Sequence, residues 1–268
     1  MAEYIAKEDI FDEHGILLIS KGKKITNAAI RRLQRHGDYK LDQLVSSRDD
    51  QSTIYAPSIR SFGERKNIPK SRSMEKASNI LSDIIFESKS EPWWIYVNAL
   101  GNYLDWLYTH SIDVALISMM MALELGYSDE DLKNLALGTL LHDVGKLLVP
   151  KTIWEKTEPL SDSEMACIKQ HCELGMSSLE GFNFPKQYTD IVLQHHERLD
   201  GSGYPFGLKE DEICPNANLV MVADVADAIT SYRPYRQPQN MAFAISELRN
   251  DGAKYSQELV DLLERILN

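Results

Sequence analysis

A histidine and an aspartate stand side by side at the end of an apolar run, in Gly138–Lys146, read GTLLHDVGK. The run predicts a buried helix, and a buried carboxylate needs a cation or a full set of hydrogen bonds. His142 alone reads equally well as a satisfied core residue. His142 beside Asp143 reads as part of a metal site, and that reading requires more ligands elsewhere. Lys146 stands four residues after His142 and shares its face if the helix persists.

The surrounding pattern is helical. From Ser73, the residues Met74, Ala77, Ile80, Leu81, Ile84 and Ile85 recur at spacings of three and four. A second segment starts near Pro92 and runs through Trp93, Trp94, Val97, Leu100 and Leu107. These aromatics read as core, or as an interface with the N-terminal part. The stretch THSIDVALISMMMALELG is apolar on more than one side, which predicts a central helix capped by Thr109 or Ser111 and ended by Gly126. Met74, Met119, Met120 and Met121 read as core filler. Further helices are expected over Asp129–Leu141 and Tyr188–His196, and over Leu219–Ser231. Two amphipathic ones are expected at Met241–Leu248 and Gln257–Leu267. Ser161 with Glu164 is a capping-box signal for a helix carrying His171. Gly201, Gly203, Pro205 and Gly207 mark a structured loop after His195-His196.

The N-terminal third reads differently. Residues 1–45 predict a small α+β module. It has one or two short strands around Ile16–Ile19 and a helix over Asn27–Arg35 capped by Thr26. Arg31, Arg32 and Arg35 read as a solvated helix face ahead of an anion-binding one. Residues 46–72, polar and rich in Ser, Lys and Arg, read as a linker. The expected catalytic unit is then 73–268, giving a mainly all-α fold behind a small α+β module.

Charge follows the same division. Residues 1–72 carry 14 basic and 10 acidic side chains, whereas 73–268 carry 15 and 30, within a formal net charge of −11. The acidic helical part argues against DNA or RNA polymers as partners. Three cysteines without CxxC spacing exclude a disulfide scaffold or zinc knuckle and suit a reducing compartment. MAEYIAKEDI has no apolar signal region, and Val114–Leu125 reads as too short to span a bilayer. A cytoplasmic protein is the expectation.

Of the seven histidines, His110, His142, His171, His195 and His196 fall within Thr109–Glu197, at or near helix ends or on apolar helices. With Asp143 and Asp224 they make seven nitrogen and oxygen ligands. Such a set suits Fe, Mn, Zn, Co or Ni better than Mg alone, and it exceeds the need of one tetrahedral zinc. Two metals sharing a carboxylate are a natural use of it. Lys146 reads equally as a phosphate-facing cation and as a surface salt bridge. Arg233 and Arg236 are candidate bidentate phosphate grips.

Four phrases carry a family resemblance. They are HDVGK at His142–Lys146, KQHCELG at Lys169–Gly175, HHERLDGSGYP at His195–Pro205 and ADVADAITSYRPYR at Ala223–Arg236. In this order and with these gaps they resemble the HD-GYP branch of the HD metal-dependent phosphohydrolases, over roughly residues 100–265. The resemblance implies a helical domain that hydrolyses cyclic di-GMP to linear pGpG and, in some members, on to GMP. It implies two divalent ions, Fe or Mn. His110, His142, Asp143 and Asp224 would surround one, and Asp143 would bridge to a second held by His171, His195 and His196. A metal-bound hydroxide would attack phosphorus. Lys146 would sit by the scissile phosphate, and Arg233 and Arg236 would hold substrate phosphate. Asp200, Gly201, Gly203, Tyr204 and Pro205 would shape the loop beside the pocket, which could also meet a diguanylate cyclase partner. A homodimer is a reasonable expectation. Where similar proteins carry a glutamate for a third metal, four residues before the first histidine, this chain has Trp106. Two other functions stay open: a nucleotide-binding or protein-interaction module with little turnover, and a phosphodiesterase of another cyclic dinucleotide.

Overall fold

A helix that is apolar on every side must be buried in protein or in lipid. Asp105–Glu124 is such a helix, and the other described helices of the chain pack around it or on its neighbours. The structure, a computed structural model, describes residues 4–6, 10–11, 17–19, 22, 24–25, 45–46 and 57–267, apart from 89–90 and 233–236. In the first part, strands β1 (Tyr4–Ala6), β4 (Lys24–Ile25) and β5 (Val45–Ser46) form an antiparallel sheet of order β4-β1-β5. β2 (Ile10–Phe11) pairs with β3 (Leu17–Ile19), so five short strands replace the one or two expected. The helix expected over Asn27–Arg35 lies outside the described residues.

Helices follow in sequence: α1 (Pro57–Lys66), α2 (Arg72–Ser88), α3 (Trp94–Tyr103), α4 (Asp105–Glu124) and α5 (Asp129–Leu141). A 3-10 turn over Val144–Leu148 leads to α6 (Lys151–Trp154), α7 (Asp162–Lys169) and α8 (His171–Leu179). Then come α9 (Lys186–Gln194), α10 (Pro215–Thr230), α11 (Met241–Asn250) and α12 (Gln257–Leu267).

The reading of 46–72 as a linker fails from Pro57 onward. Ile59, Phe62 and Ile68 are buried, and α1 packs on α4. Polar composition hid this because α1 buries only a narrow stripe, Ile59 and Phe62, together with the cation Lys66.

Helix α4 is long and apolar enough to cross a membrane by length and composition, contrary to the sequence reading, but 78% of the relevant window is buried inside the protein. Met119, Met120 and Met121 are fully buried, as expected of core filler. The start of α4 also moves. Leu104, extended at φ −142°, separates α3 from α4, so the helix opens at Asp105 and His110 sits more than a turn inside it. Its end is where Gly126 predicted. Gly126 adopts φ +78°, its N–H donates to Leu123 O, and Tyr127 N–H donates to Ala122 O. This Schellman pair satisfies carbonyls the helix leaves open.

Ser128 caps α5 by accepting from Asp131 N–H, with Asp129, Glu130 and Asp131 placed against the positive helix end. The capping box at Ser161 and Glu164 forms, but α7 stops at Lys169 and His171 opens the next helix, α8. Trp93 and Trp94 are core residues, edge-on to one another at 5.9 Å.

Candidate metal centre

Helix α5 ends at Leu141, so His142 and Asp143 stand in a tight turn and Lys146 follows in the 3-10 segment. The helical spacing from His142 to Lys146 therefore does not persist. Two glycines make the turn possible. A Cβ on Gly145 would lie 1.8 Å from His171 O and 2.5 Å from Gly175 N, so α8 rests directly on the turn backbone. A Cβ on Gly138 would lie 2.6 Å from Ile191 Cδ1, which marks the close approach of α9 to α5. These contacts carry His171 and His195 to Asp143.

All seven expected ligands converge. His110 from α4, His142 and Asp143 from the turn, His171 from α8, His195 and His196 from the end of α9, and Asp224 from α10 surround one interior space. Asp143 divides it. Its Oδ2 lies 3.4 Å from His110 Nε2 and 3.3 Å from His142 Nε2. Its Oδ1 lies 3.6 Å from His171 Nε2 and 3.8 Å from His195 Nε2. Asp224 Oδ1 is 3.2 Å from His110 Nε2, and its Oδ2 is 4.0 Å from His196 Nδ1. The ligand atoms form two groups, Asp143 with His171, His195 and His196, and His110 with His142 and Asp224.

The far nitrogens are already committed. His142 Nδ1–H donates to Thr139 O at 2.6 Å and His171 Nδ1–H to Ile168 O at 2.6 Å. His195 Nδ1–H is shared between Ile191 O and Val192 O, and His110 Nδ1–H donates to Asp227 Oδ2 at 2.6 Å. Each such bond fixes the ring so that the Nε2 lone pair faces inward, the usual outer support of a metal-ligating imidazole.

Electrostatics agree with that donor set. Burial pushes the His171 imidazole down to about 4. Burial and the neighbouring rings hold His195 well below its usual range. Burial alone would raise Asp143, but His142 and Lys146 hold it well below the usual carboxylate range. Burial acts the same way on Asp224, and His110 outweighs it. The interior thus offers neutral imidazoles at His171 and His195 and ionised carboxylates at Asp143 and Asp224. His142 Nε2 and Asp143 Oδ1 are buried without a hydrogen-bond partner. Lone pairs left this way cost free energy unless something electrophilic meets them, so the residues fit divalent cations.

Lys146 is not a surface charge. Its side chain is 9% exposed and its Nζ is 2.5 Å from Asp143 Oδ2. The ammonium sits between the rings of Trp106 and Trp154, at 5.7 and 5.1 Å from their centroids. Trp106 therefore closes the space beside His110 with an aromatic ring, where a carboxylate would have added a ligand. Next to it a cleft of about 400 Å³ is lined by Arg65, Thr109, His110, Trp106, Tyr232 and Pro238, among others. Arg233 and Arg236 lie outside the described residues.

The glycine-rich loop folds over the second ligand group. Tyr204 stacks on His196, with ring centroids 4.7 Å apart, and its N–H donates to His196 O. Gly201 takes φ +81°, and Asp200 Oδ1 accepts from Ser202 N–H and Oγ–H. A Cβ on Gly203 would lie 2.4 Å from Glu197 Cα, so no larger residue fits. Two residues missed by sequence reasoning stabilise the site. Asp227 orients His110, and its only sequence signal was its place three residues after Asp224 on an apolar helix. Glu197 is fully buried, and its two oxygens accept from Phe206 N–H at 2.8 Å and Leu208 N–H at 3.0 Å. Glu197→Ala removes both acceptors and should destabilise the loop by about 1–3 kcal/mol. Hydrogen exchange at Phe206 and Leu208 should then rise while exchange in α4 stays unchanged; unaltered exchange at both amides would contradict the clamp.

Comparison with known proteins extends these findings. Residues 95–259 match the HD domain family model. A cyclic di-GMP phosphodiesterase of Thermotoga maritima is 38% identical over 169 residues, covering 62% of this chain and 46% of the relative. A 3'3'-cGAMP-specific phosphodiesterase 1 of Vibrio cholerae is 34% identical over 173 residues, covering 64% of this chain and 40% of the relative. The chain thus spans less than half the length of these curated relatives. Among solved structures, the HD-GYP-type protein Bd1817 of Bdellovibrio bacteriovorus superposes with a TM-score of 0.54 at 21% identity, covering 99% of this chain and 94% of that one. That likeness concerns the fold. The family match runs through all seven ligand residues and more than half of the sequence, and the chain belongs to the HD domain family, in its HD-GYP branch.

Proposed function

We propose that this protein is a metal-dependent phosphodiesterase that opens cyclic di-GMP to linear pGpG at a binuclear centre. One observation carries the reading: the two oxygens of Asp143 face separate sets of imidazole nitrogens, 3.3 and 3.4 Å on one side and 3.6 and 3.8 Å on the other. A carboxylate so placed suits a bridge. Two divalent ions, Fe or Mn as the family resemblance implies, would supply an activated water at neutral pH and neutralise charge on the phosphoryl oxygens.

This chain's residues do the rest. Lys146, held between two indole rings, places its ammonium against a non-bridging phosphate oxygen. Arg233 and Arg236 grip the flanking phosphate. Trp106 and Tyr232, at the cleft beside His110, offer faces on which a guanine stacks. Tyr204 covers His196 and limits water at the second ligand group. Trp106 in place of a further carboxylate leaves two metals, so pGpG is the main product and GMP forms slowly. The catalytic unit starts at Pro57, and the small module before it acts as a regulatory segment.

The test is a turnover assay of Mn- or Fe-loaded protein with cyclic di-GMP and 3'3'-cGAMP supplied separately, the products separated by chromatography. Accumulation of pGpG from cyclic di-GMP is expected. The similarity to a cGAMP-specific enzyme makes cGAMP the informative second substrate. Faster cleavage of cGAMP would move the substrate assignment, and tight binding with no product from either would overturn the enzymatic reading.

A further inference from the structure

Helix α1 lies outside the family match, which begins at residue 95. It nevertheless ends in two cations, Arg65 and Lys66, that reach the interior. Arg65 pairs with Asp113 on α4. The Lys66 side chain is 1% exposed, and its Nζ lies 2.6 Å from Asp227 Oδ1 on α10 and 3.7 Å from Asp113 Oδ2. It also donates to Thr230 Oγ1 at 3.0 Å and Ser231 Oγ at 2.6 Å, and Ser231 Oγ–H donates to Asp227 Oδ1 at 3.0 Å.

Asp227 is the residue whose other oxygen, Oδ2, accepts from His110 Nδ1–H at 2.6 Å. A short line of contacts therefore runs from α1 to the ligand group of His110, His142 and Asp224. A carboxylate held at one oxygen can swing about its Cβ–Cγ bond. Held at both, it presents one fixed acceptor, and the imidazole bonded to it has one orientation. Arg65 already serves Asp113, so the closest carboxylate to Lys66 is Asp227. Two cations, Arg65 and Lys66, thus face two buried carboxylates, Asp113 and Asp227.

We propose that Lys66 is a positioning residue for one half of the metal centre: it locks Asp227 so that His110 Nε2 faces the ion. This rests on the binuclear reading above. A segment ahead of the family domain thereby becomes part of the metal site, and displacement of α1 acts on metal binding.

The test uses the full chain, stripped of metal and titrated with Mn²⁺ alone against a fluorescent chelator that resolves two binding events. Lys66→Met should weaken one event by about 10–100-fold and leave the other unchanged. Asp227→Asn should do the same, and Lys66→Arg, which keeps the charge, should restore most of the loss. Thermal unfolding of the metal-free proteins separates this from a merely structural lysine, which lowers the midpoint without splitting the two events. Wild-type Mn²⁺ binding by Lys66→Met, or equal weakening of both events, would overturn the inference. If Lys66→Met does not fold, Lys66→Gln is titrated instead: one-event loss supports the inference and wild-type binding overturns it. A wild-type protein that takes up fewer than two Mn²⁺ would overturn the binuclear reading and this inference with it, whereas failure in the variants alone leaves that reading standing.

Discussion

Replacing Asp143 with asparagine is expected to abolish turnover of cyclic di-GMP and to strip the protein of bound metal. The two oxygens of Asp143 face both ligand groups, with Oδ2 toward His110 and His142 and Oδ1 toward His171 and His195. An amide keeps the shape but loses the charge and turns one acceptor into a donor. A bound metal contributes several kcal/mol to transition-state stabilisation. At about 1.4 kcal/mol per tenfold, the loss should be about 10³-fold or more.

Metal-free stability should fall as well. Lys146, buried between Trp106 and Trp154, would lose the carboxylate 2.5 Å from its ammonium, and breaking such a pair costs about 3 kcal/mol. The double variant Asp143→Asn/Lys146→Met should recover that stability in urea denaturation without recovering metal. Elemental analysis and single-turnover assays read the first effect. Retention of two metals by Asp143→Asn would refute the bridging role.

Gly145→Ala should be a severely damaging methyl addition, with the shortest Cβ contact among the described glycines. The new Cβ would overlap His171 O at 1.8 Å and approach Gly175 N at 2.5 Å, and both are backbone atoms with no rotamer to yield. Relief requires α8 to move away from the turn, and His171, its first residue, must move with it. Overpacking of this kind costs about 1–3 kcal/mol or more. The functional loss should be larger than the stability loss, because a ligand displaced by an ångström no longer closes a metal site. Metal content should drop from two ions to one per chain. Gly175→Ala is the control: its Cβ would meet Val192 Cγ1 at 3.0 Å, a side-chain atom that can shift, so a milder effect is expected. Equal metal content in wild type and Gly145→Ala would contradict this account.

Much of the site could be read from sequence because ligands are chemically distinctive. Five histidines and two aspartates on apolar helices or at their ends are hard to explain as packing, and all seven meet in the structure. The capping signals were equally direct. Gly126 and Ser161 act locally, through bonds to residues within a few positions, and both form as expected.

The misreadings have separate physical causes. Helix α1 sits in a stretch that is polar on average, and average polarity conceals a lysine that is charged and buried at once. Its partners, Asp227, Thr230 and Ser231, are more than 160 residues away in the chain, so no window of sequence contains the contact. The capping box at Ser161 is visible in sequence and predicts one helix through His171, whereas the break at Gln170 leaves no comparable mark. Helix α4 looked too short for a membrane, and its length at either end depended on Leu104 and Gly126.

By itself, the sequence determined which atoms could meet a metal, since side-chain chemistry is fixed by residue type, and two helix ends, the close of α4 at Gly126 and the start of α7 at Ser161, since those caps act over three or four residues. The tertiary structure decided what Asp143 does. Whether its two oxygens serve one group of imidazoles or two depends on α8 approaching the turn at Gly145 and α9 approaching α5 at Gly138. That approach comes from close packing between elements distant in the chain, where tenths of an ångström at a glycine settle the position of a ligand.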